Sequence, residues 1–160
     1  AIGSKSGYAK GLYQTNQEFL AQAFPQQSYQ AAAIWIKDDV KQVLLEIFDR
    51  PQLPLRQRYW RSGSRTAWIM NEIGKELPIT IGVVINQSQV EQVSVLAYRE
   101  SRGGEIRHAF FTRQFNKVSL GDDHQLSSSI DGITGATLSV TAMKRVVAAA
   151  LYLHQQVVEK

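Results

Sequence analysis

The chain has 160 residues, enough to form one domain with a substantial core. Its hydrophobic content of 44%, charged content of 20% and net charge of +4 are ordinary for a globular protein, and its basic residues are scattered, so no nucleic-acid partner is expected. The absence of cysteine excludes disulfides, thiolate metal sites, iron–sulfur ligation and cysteine nucleophiles.

The front of the chain predicts two helices separated by a strand. Thr15 and Glu18 fit a capping box that opens a short helix ending near Phe24. Residues 31–36 are apolar and predict a buried strand. A second helix is expected from Asp38 onward, because apolar residues then recur on one helical face.

The middle of the chain predicts two β-hairpins. Strand-like runs lie on either side of a turn at 62–65 and of a second turn at 86–89. Large apolar residues recur at every second position over 79–85, with Thr80, Gly82 and Val84 between them, and this pattern suits an antiparallel sheet with one covered face. A loop is expected over 98–105, and residues 106–115 are expected to be helical.

This order of elements predicts an α+β fold, with an antiparallel β-sheet, packed helices and a C-terminal helix. From Leu138 onward apolar residues recur at helical spacing, which predicts that helix. We expect residues 1–54 to form a helix/strand appendage and residues 55–160 the main domain, the two making one compact unit.

The nine residues before and at the start of the C-terminal helix, 131–139, read Asp-Gly-Ile-Thr-Gly-Ala-Thr-Leu-Ser. Gly132 and Gly135 allow a backbone to approach a bulky group closely. Thr137 and Ser139 fall at the start of the helix, where unpaired N–H groups and the helix dipole favour an anion. The start of the helix is therefore a ready anion site, and a phosphate held on Thr137 would lie in a favourable field. The simpler alternative, that Thr137 is only a helix cap, stays open.

This run resembles the flavin-attachment motif of the FMN-binding domain family, in which an Asp, two spacers, Ser or Thr, and Gly-Ala-Thr precede a helix. The family includes flavin-carrying subunits of the sodium-translocating NADH:quinone reductase and of the Rnf complex. The resemblance covers residues 66–153. It implies that Thr137 is esterified to the phosphate of FMN by a separate flavin transferase that uses FAD and Mg²⁺.

The resemblance extends to the loop before the attachment motif, where family members carry a Glu- and Gly-containing segment. Here the loop reads Ser-Arg-Gly-Gly over 101–104, where many members have a Thr-Pro-Gly run. The flavin-binding candidates are Thr137 as covalent acceptor, with Asp131, Gly132, Thr134, Gly135, Ala136, Leu138, Ser139, Glu100, Arg102, Gly103 and Gly104. For Asp131 our hypothesis is that it orients the transferase's metal ion or the threonine hydroxyl.

A flavin ring also needs an apolar wall and hydrogen-bond donors near its carbonyl groups. Arg99 and Arg102 are candidate donors, with Lys75 more remote, and a plain surface charge is the alternative for each. Four aromatic residues are candidates for stacking, although core packing is the favoured interpretation for most of them: Trp68, Phe110, Phe111 and Phe115.

The implied function is that of an electron-transfer flavoprotein outside the cytoplasm, working beside a membrane-bound redox partner. No catalytic residue is expected, and the three histidines show no metal-ligand spacing. The chain begins without Met, so a removed signal or an omitted membrane anchor is expected, and an arbitrary boundary is also open. Two alternatives remain: a flavin-dependent reductase of a small molecule or terminal acceptor, and a non-redox binding module.

Overall fold

A computed structural model describes residues 11–158, which form one antiparallel sheet and four α-helices. This confirms the predicted α+β class. None of the described helices is both long and apolar enough to cross a membrane. The elements in chain order are α1 (Asn16–Ala23), β1 (Gln30–Trp35), α2 (Asp38–Phe48), β2 (Arg56–Ser62), β3 (Arg65–Ile73), β4 (Pro78–Asn86), β5 (Gln89–Ala97), a 3₁₀ turn (Gly104–Arg107), α3 (Ala109–Thr112), a second 3₁₀ turn (Arg113–Phe115) and α4 (Thr137–Val158).

The sheet has strand order β1-β2-β3-β4-β5, and helices cover its centre on both faces. On one face α4 packs on β3 and β4, with α2 beside it. On the other face α1 buries Phe19 against Ala67, Val84 and Leu96. The expectation of only one covered face is therefore wrong. Gly82 makes room for α1, since a Cβ there would lie 2.6 Å from the Phe19 ring.

Local signals in the sequence correspond closely to the structure. The capping box is present: Glu18 N donates to Thr15 Oγ1 at 3.0 Å, and Thr15 N donates to Glu18 Oε1 at 2.9 Å. Both hairpins form, and the second turn places Gln87 and Ser88 at φ of 54° and 63°. Two consecutive left-handed residues give a turn whose twist matches that of the flanking strands.

Two sequence predictions are wrong in their details. β1 forms, but five of its six residues are exposed, because it lies at the edge of the sheet, away from the helices that cover the centre. Residues 106–115 are not one helix: the chain forms a 3₁₀ turn, then α3, then a second 3₁₀ turn. His108, between the first 3₁₀ turn and α3, is extended. This break in the helix lets Ile106, Phe111 and Phe115 all reach the core.

One buried hydroxyl joins α4 to the sheet. Thr66 Oγ1 in β3 lies 2.7 Å from His154 Nδ1 in α4 and accepts a hydrogen bond from Trp68 Nε1 at 2.8 Å. All three side chains are fully buried. A buried polar group without its partner destabilises a fold, so this single oxygen satisfies two ring nitrogens at once.

Replacing that hydroxyl tests its role in the core. We expect Thr66→Val to lower the free energy of unfolding by about 1–3 kcal/mol, because it preserves the shape but removes the partner of two buried nitrogens. Urea denaturation followed by far-UV circular dichroism measures the change. Thr66→Ser keeps the hydroxyl and is expected to lose clearly less; equal losses in both variants would contradict the interpretation.

Candidate functional site

A cavity of about 570 Å³ opens beside the N-terminus of α4. Its volume lies within the usual range for sites that bind small molecules and cofactors. Three segments meet there: the turn between β3 and β4, the loop after β5, and the end of the 131–139 run with the first turn of α4. The lining consists of residues 75–76, 98, 100–102 and 135–139.

The fold brings most, but not all, of the predicted site residues to this cavity. Residues 135–139, Glu100 and Arg102 line it, and Gly103 lies directly behind its wall. Gly104 follows Gly103 but does not line the cavity. Three motif residues lie outside it on the exposed loop that leads to α4: Asp131, Gly132 and Thr134.

Thr137 is the first residue of α4 rather than the residue that caps it. The Ala136 carbonyl accepts the first helical hydrogen bond, from Val140 N at 3.0 Å, so Ala136 occupies the capping position. The Thr137 side chain is exposed, and its hydroxyl has no hydrogen-bond partner within residues 11–158. A hydroxyl on the cavity wall is thus available for chemistry.

The electrostatics of the cavity favour an anion at its helix end. The N–H groups of the first turn, at 137–139, have no intrahelical acceptor and lie at the positive end of the helix dipole. The charged side chains of the wall balance in number, since Lys75 and Arg102 are matched by the carboxylates of Glu76 and Glu100, so the helix end supplies the preference for an anion. A phosphate group at this position would find donors and a favourable field without burying an unpaired charge.

Glu100 stabilises the wall instead of offering its whole carboxylate to a ligand. Its Oε1 atom accepts hydrogen bonds from Glu76 N at 2.7 Å and Leu77 N at 2.5 Å. This ties the loop after β5 to the turn between β3 and β4. The charge is partly neutralised by two main-chain donors, which reduces its repulsion of an anion in the same cavity.

Tyr98, which the sequence interpretation missed, joins two of the three segments, the loop after β5 and the first turn of α4. Its hydroxyl donates to the Arg102 carbonyl and lies 2.9 Å from Ser139 Oγ in α4. Burial raises the pKa of Tyr98, so the phenol stays protonated and remains a donor at neutral pH. Gly103 lies against this hydroxyl at φ 90°, and a Cβ there would collide with it.

Gln114 is a second residue that the sequence interpretation missed. Its Oε1 accepts from Asp131 N at 2.7 Å, and its Nε2 donates to Asp131 O at 3.1 Å. Phe111 and Phe115 on either side of Gln114 are fully buried, which fixes its position. The side-chain amide therefore holds the main chain at the start of the attachment run. No local sequence signal predicts a contact across 17 positions.

The structure changes which of the predicted flavin-ring contacts are possible at this cavity. Arg99 donates to Pro78 O at 2.8 Å and to Thr80 Oγ1 at 3.1 Å, so it is bound to β4 and does not line the cavity. Lys75, expected to be more remote, does line it. Core packing is confirmed for Trp68, Phe111 and Phe115, which are fully buried. Phe110 is exposed but does not line the cavity.

A second cavity, of about 510 Å³, lies farther along α4. Thr141, Lys144 and Arg145 contribute to it from α4, facing His124 and the serines at 127–129. Within residues 11–158 no group of three or more histidine, aspartate or glutamate side chains is arranged to hold a metal ion. The described residues thus place two polar cavities beside one helix.

Adjacent glycines in the loop after β5 allow a matched test of the wall. We expect Gly103→Ala to destabilise the protein by about 1 kcal/mol or more, because alanine is strained at positive φ and its Cβ would displace the Tyr98 hydroxyl. Gly104→Ala should be nearly neutral, since its Cβ would be 3.7 Å from the nearest atom and its φ is not positive. Thermal unfolding of both variants measures this difference; equal effects would contradict it.

The comparisons with known proteins concern the part of the chain that contains this cavity. A family model described as the FMN-binding domain matches residues 74–152, from the turn between β3 and β4 to the last turns of α4. No curated protein and no solved structure matches the chain. The matched segment contains every residue that lines the cavity of about 570 Å³, including Thr137. Residues 74–152, which contain this cavity, therefore form an FMN-binding domain and belong to the FMN-binding domain family.

Proposed function

We propose that this protein carries FMN covalently, through a phosphoester to Thr137, and serves as an electron-transfer flavoprotein. The observation that carries the proposal is the position of the Thr137 hydroxyl. It is exposed, unpaired among residues 11–158, and lies on the wall of a cavity within an FMN-binding domain. A threonine needed only for capping would occupy the position that Ala136 holds.

The attachment step is the transfer of an FMN unit from FAD. A bond forms between Thr137 Oγ and the FMN phosphorus, the pyrophosphate P–O bond of FAD breaks, and AMP leaves while the hydroxyl proton passes to a base. No oxidation accompanies the step. The N–H groups at 137–139, together with Lys75 and Arg102, would then hold the phosphodiester.

The exposure of the attachment loop supports modification by a separate enzyme. Asp131, Gly132, Thr134 and Gly135 are all exposed, and a Cβ at either glycine would meet no atom within 4 Å. A flavin transferase can therefore contact the loop from the solvent side. The Asp131 carboxylate is available to orient the transferase's Mg²⁺ or the hydroxyl, while its main chain is held by Gln114.

A covalent cofactor suits a protein that works outside the cytoplasm, where a dissociated FMN is not replaced. We therefore propose an extracytoplasmic location and a membrane-bound redox partner. When bound, the flavin supplies reversible one- or two-electron chemistry. The N–H groups at 137–139 would hold its phosphate, while Tyr98 keeps the loop after β5 in place and Leu138 lies exposed on the cavity wall.

The second cavity favours one alternative, a flavin-dependent reductase of a small molecule. Thr141 and Lys144 lie one and two turns beyond Thr137 on α4, and an acceptor bound beside them would be within about 10 Å of the attachment point along the helix axis. Steady-state oxidation of the reduced flavoprotein by soluble acceptors distinguishes the two functions. For a carrier, the rate of oxidation rises in proportion to the concentration of the acceptor. For a reductase, this rate reaches a maximum as the acceptor saturates its binding site.

The attachment site is tested with Thr137→Ala. After co-expression with a flavin transferase, we expect the parent protein to gain the mass of FMN less one water and to keep its yellow colour after denaturation. The variant should show neither, because it lacks the accepting oxygen. Thr141→Ala, one turn further along the same helix, is the matched control and should be flavinylated like the parent. An unmodified parent, or a modified Thr137→Ala variant, would contradict the proposal.

The Gln114 contact is tested by two readouts. We expect Gln114→Ala to speed hydrogen exchange at the Asp131 amide, because its acceptor is lost, and to slow flavinylation about tenfold through a less ordered loop. Gln92→Ala, a half-buried glutamine on β5, is the control. Faster exchange with an unchanged flavinylation rate would show that the contact is structural and has no part in the attachment.

A further inference from the structure

The two edges of the sheet differ in how they are protected. At the β5 edge the protein's own chain supplies partners: Tyr13 N donates to Leu96 O at 2.8 Å, and Lys117 N donates to Val90 O at 2.7 Å. At the other edge, no backbone group within residues 11–158 pairs with the outer side of β1. Such an unpaired strand edge is a ready template for another strand.

The sequence of β1 lacks the features that normally block such pairing. Its six residues include no proline and no charge, and its pairing with β2 shows no bulge. A groove of about 440 Å³ runs along this edge, lined by the three alanines at 31–33 and by Arg56 and Arg58. Trp35 is 59% exposed at the end of the strand. The small alanine side chains leave room for the side chains of an added strand.

The charges beside the groove indicate which kind of strand fits. Arg58 lies opposite Ala33 and Arg56 opposite Trp35, so both guanidinium groups share one face of the sheet. Neither forms an ion pair with a carboxylate within residues 11–158. Arg58 instead lies over the Trp60 ring, 5.3 Å from its centroid. Two exposed cations two residues apart thus flank an apolar edge.

We propose that the β1 edge binds an extended acidic segment of a partner protein, which adds a sixth strand to the sheet. Main-chain hydrogen bonds to β1 would supply affinity, and carboxylates at alternate positions would supply specificity. Residues two apart on a strand are separated by about 7 Å, which matches the spacing of Arg56 and Arg58. Because Ala33 is short, the Arg58 side chain can reach across β1 toward the added strand.

Other occupants fit these charges less well. A second copy of the chain would bring β1 against β1 and supply no carboxylate, and the net charge of +4 opposes self-association. The chain's own residues 1–10 contain two lysines and no acidic residue. An acidic strand neutralises both arginines, so charge complementarity favours it over either alternative.

The experiment uses the whole protein and a capped eight-residue peptide in which glutamate and valine alternate. Isothermal titration calorimetry is the readout. We expect binding that weakens with added salt and falls by about tenfold or more in Arg58→Glu, because the added carboxylates are then repelled. Lys41→Glu, an exposed charge reversal on α2, is the matched control and should bind like the parent. A peptide with lysine in place of glutamate should not bind.

Peptide methylation tests strand addition separately from charge. One series of peptides carries N-methyl groups on the backbone amides of its glutamates, and a second series carries them on the backbone amides of its valines. Since alternate amides of a strand face its neighbour, we expect only one series to lose binding. Equal binding of both series, or of the lysine peptide, would overturn the proposal.

Two further results would overturn the choice of partner. One is a parent dimer in sedimentation analysis that Ala32→Pro abolishes, which would identify a second copy at the edge. The other is peptide binding that appears only after residues 1–10 are removed, which would identify the chain's own first segment. Because neither readout involves flavin, failure of this proposal is distinguishable from failure of the attachment at Thr137.

Discussion

The packing of α4 on the centre of the sheet is the interaction on which the rest of the structure depends. Thirteen of its 22 residues are buried, and the Thr66–His154 contact fixes the helix to β3. Since apolar burial contributes about 25 cal/mol per Å², the buried face of this helix is a large part of what holds α4 on the sheet. Its N-terminus is therefore placed at a fixed position beside the sheet, and Thr137 with it.

Around that fixed end, side chains assemble a cavity from three segments distant in sequence. Tyr98 links the end of β5 to the Arg102 carbonyl and to Ser139, while Glu100 holds the turn between β3 and β4. Gln114 holds the start of the attachment loop. The loop is thus fixed near both of its ends and exposed between them, an arrangement that suits a segment which another enzyme must reach.

Local signals in the sequence predicted the features that depend on neighbouring residues. The capping box at Thr15, both hairpin turns and the extent of α4 follow from short-range hydrogen bonding and hydrophobic periodicity. Burial was predicted less well. An apolar strand such as β1 gives the same signal at a sheet edge as at its centre, and alternation along β4 does not reveal a helix on the second face.

The sequence by itself determined the class of fold and, through the run at 131–139, the family to which the domain belongs. The fold class follows from the periodicity and turns of short segments, and the family follows from the spacing and residue types of one run before a helix. Only the tertiary structure decided that Ala136 caps α4, that Arg99 is bound to β4, and that Tyr98 and Gln114 support the site. Those contacts join residues from 4 to 41 positions apart in the chain. Their geometry arises from the packing of helices on a shared sheet, which no local pattern specifies.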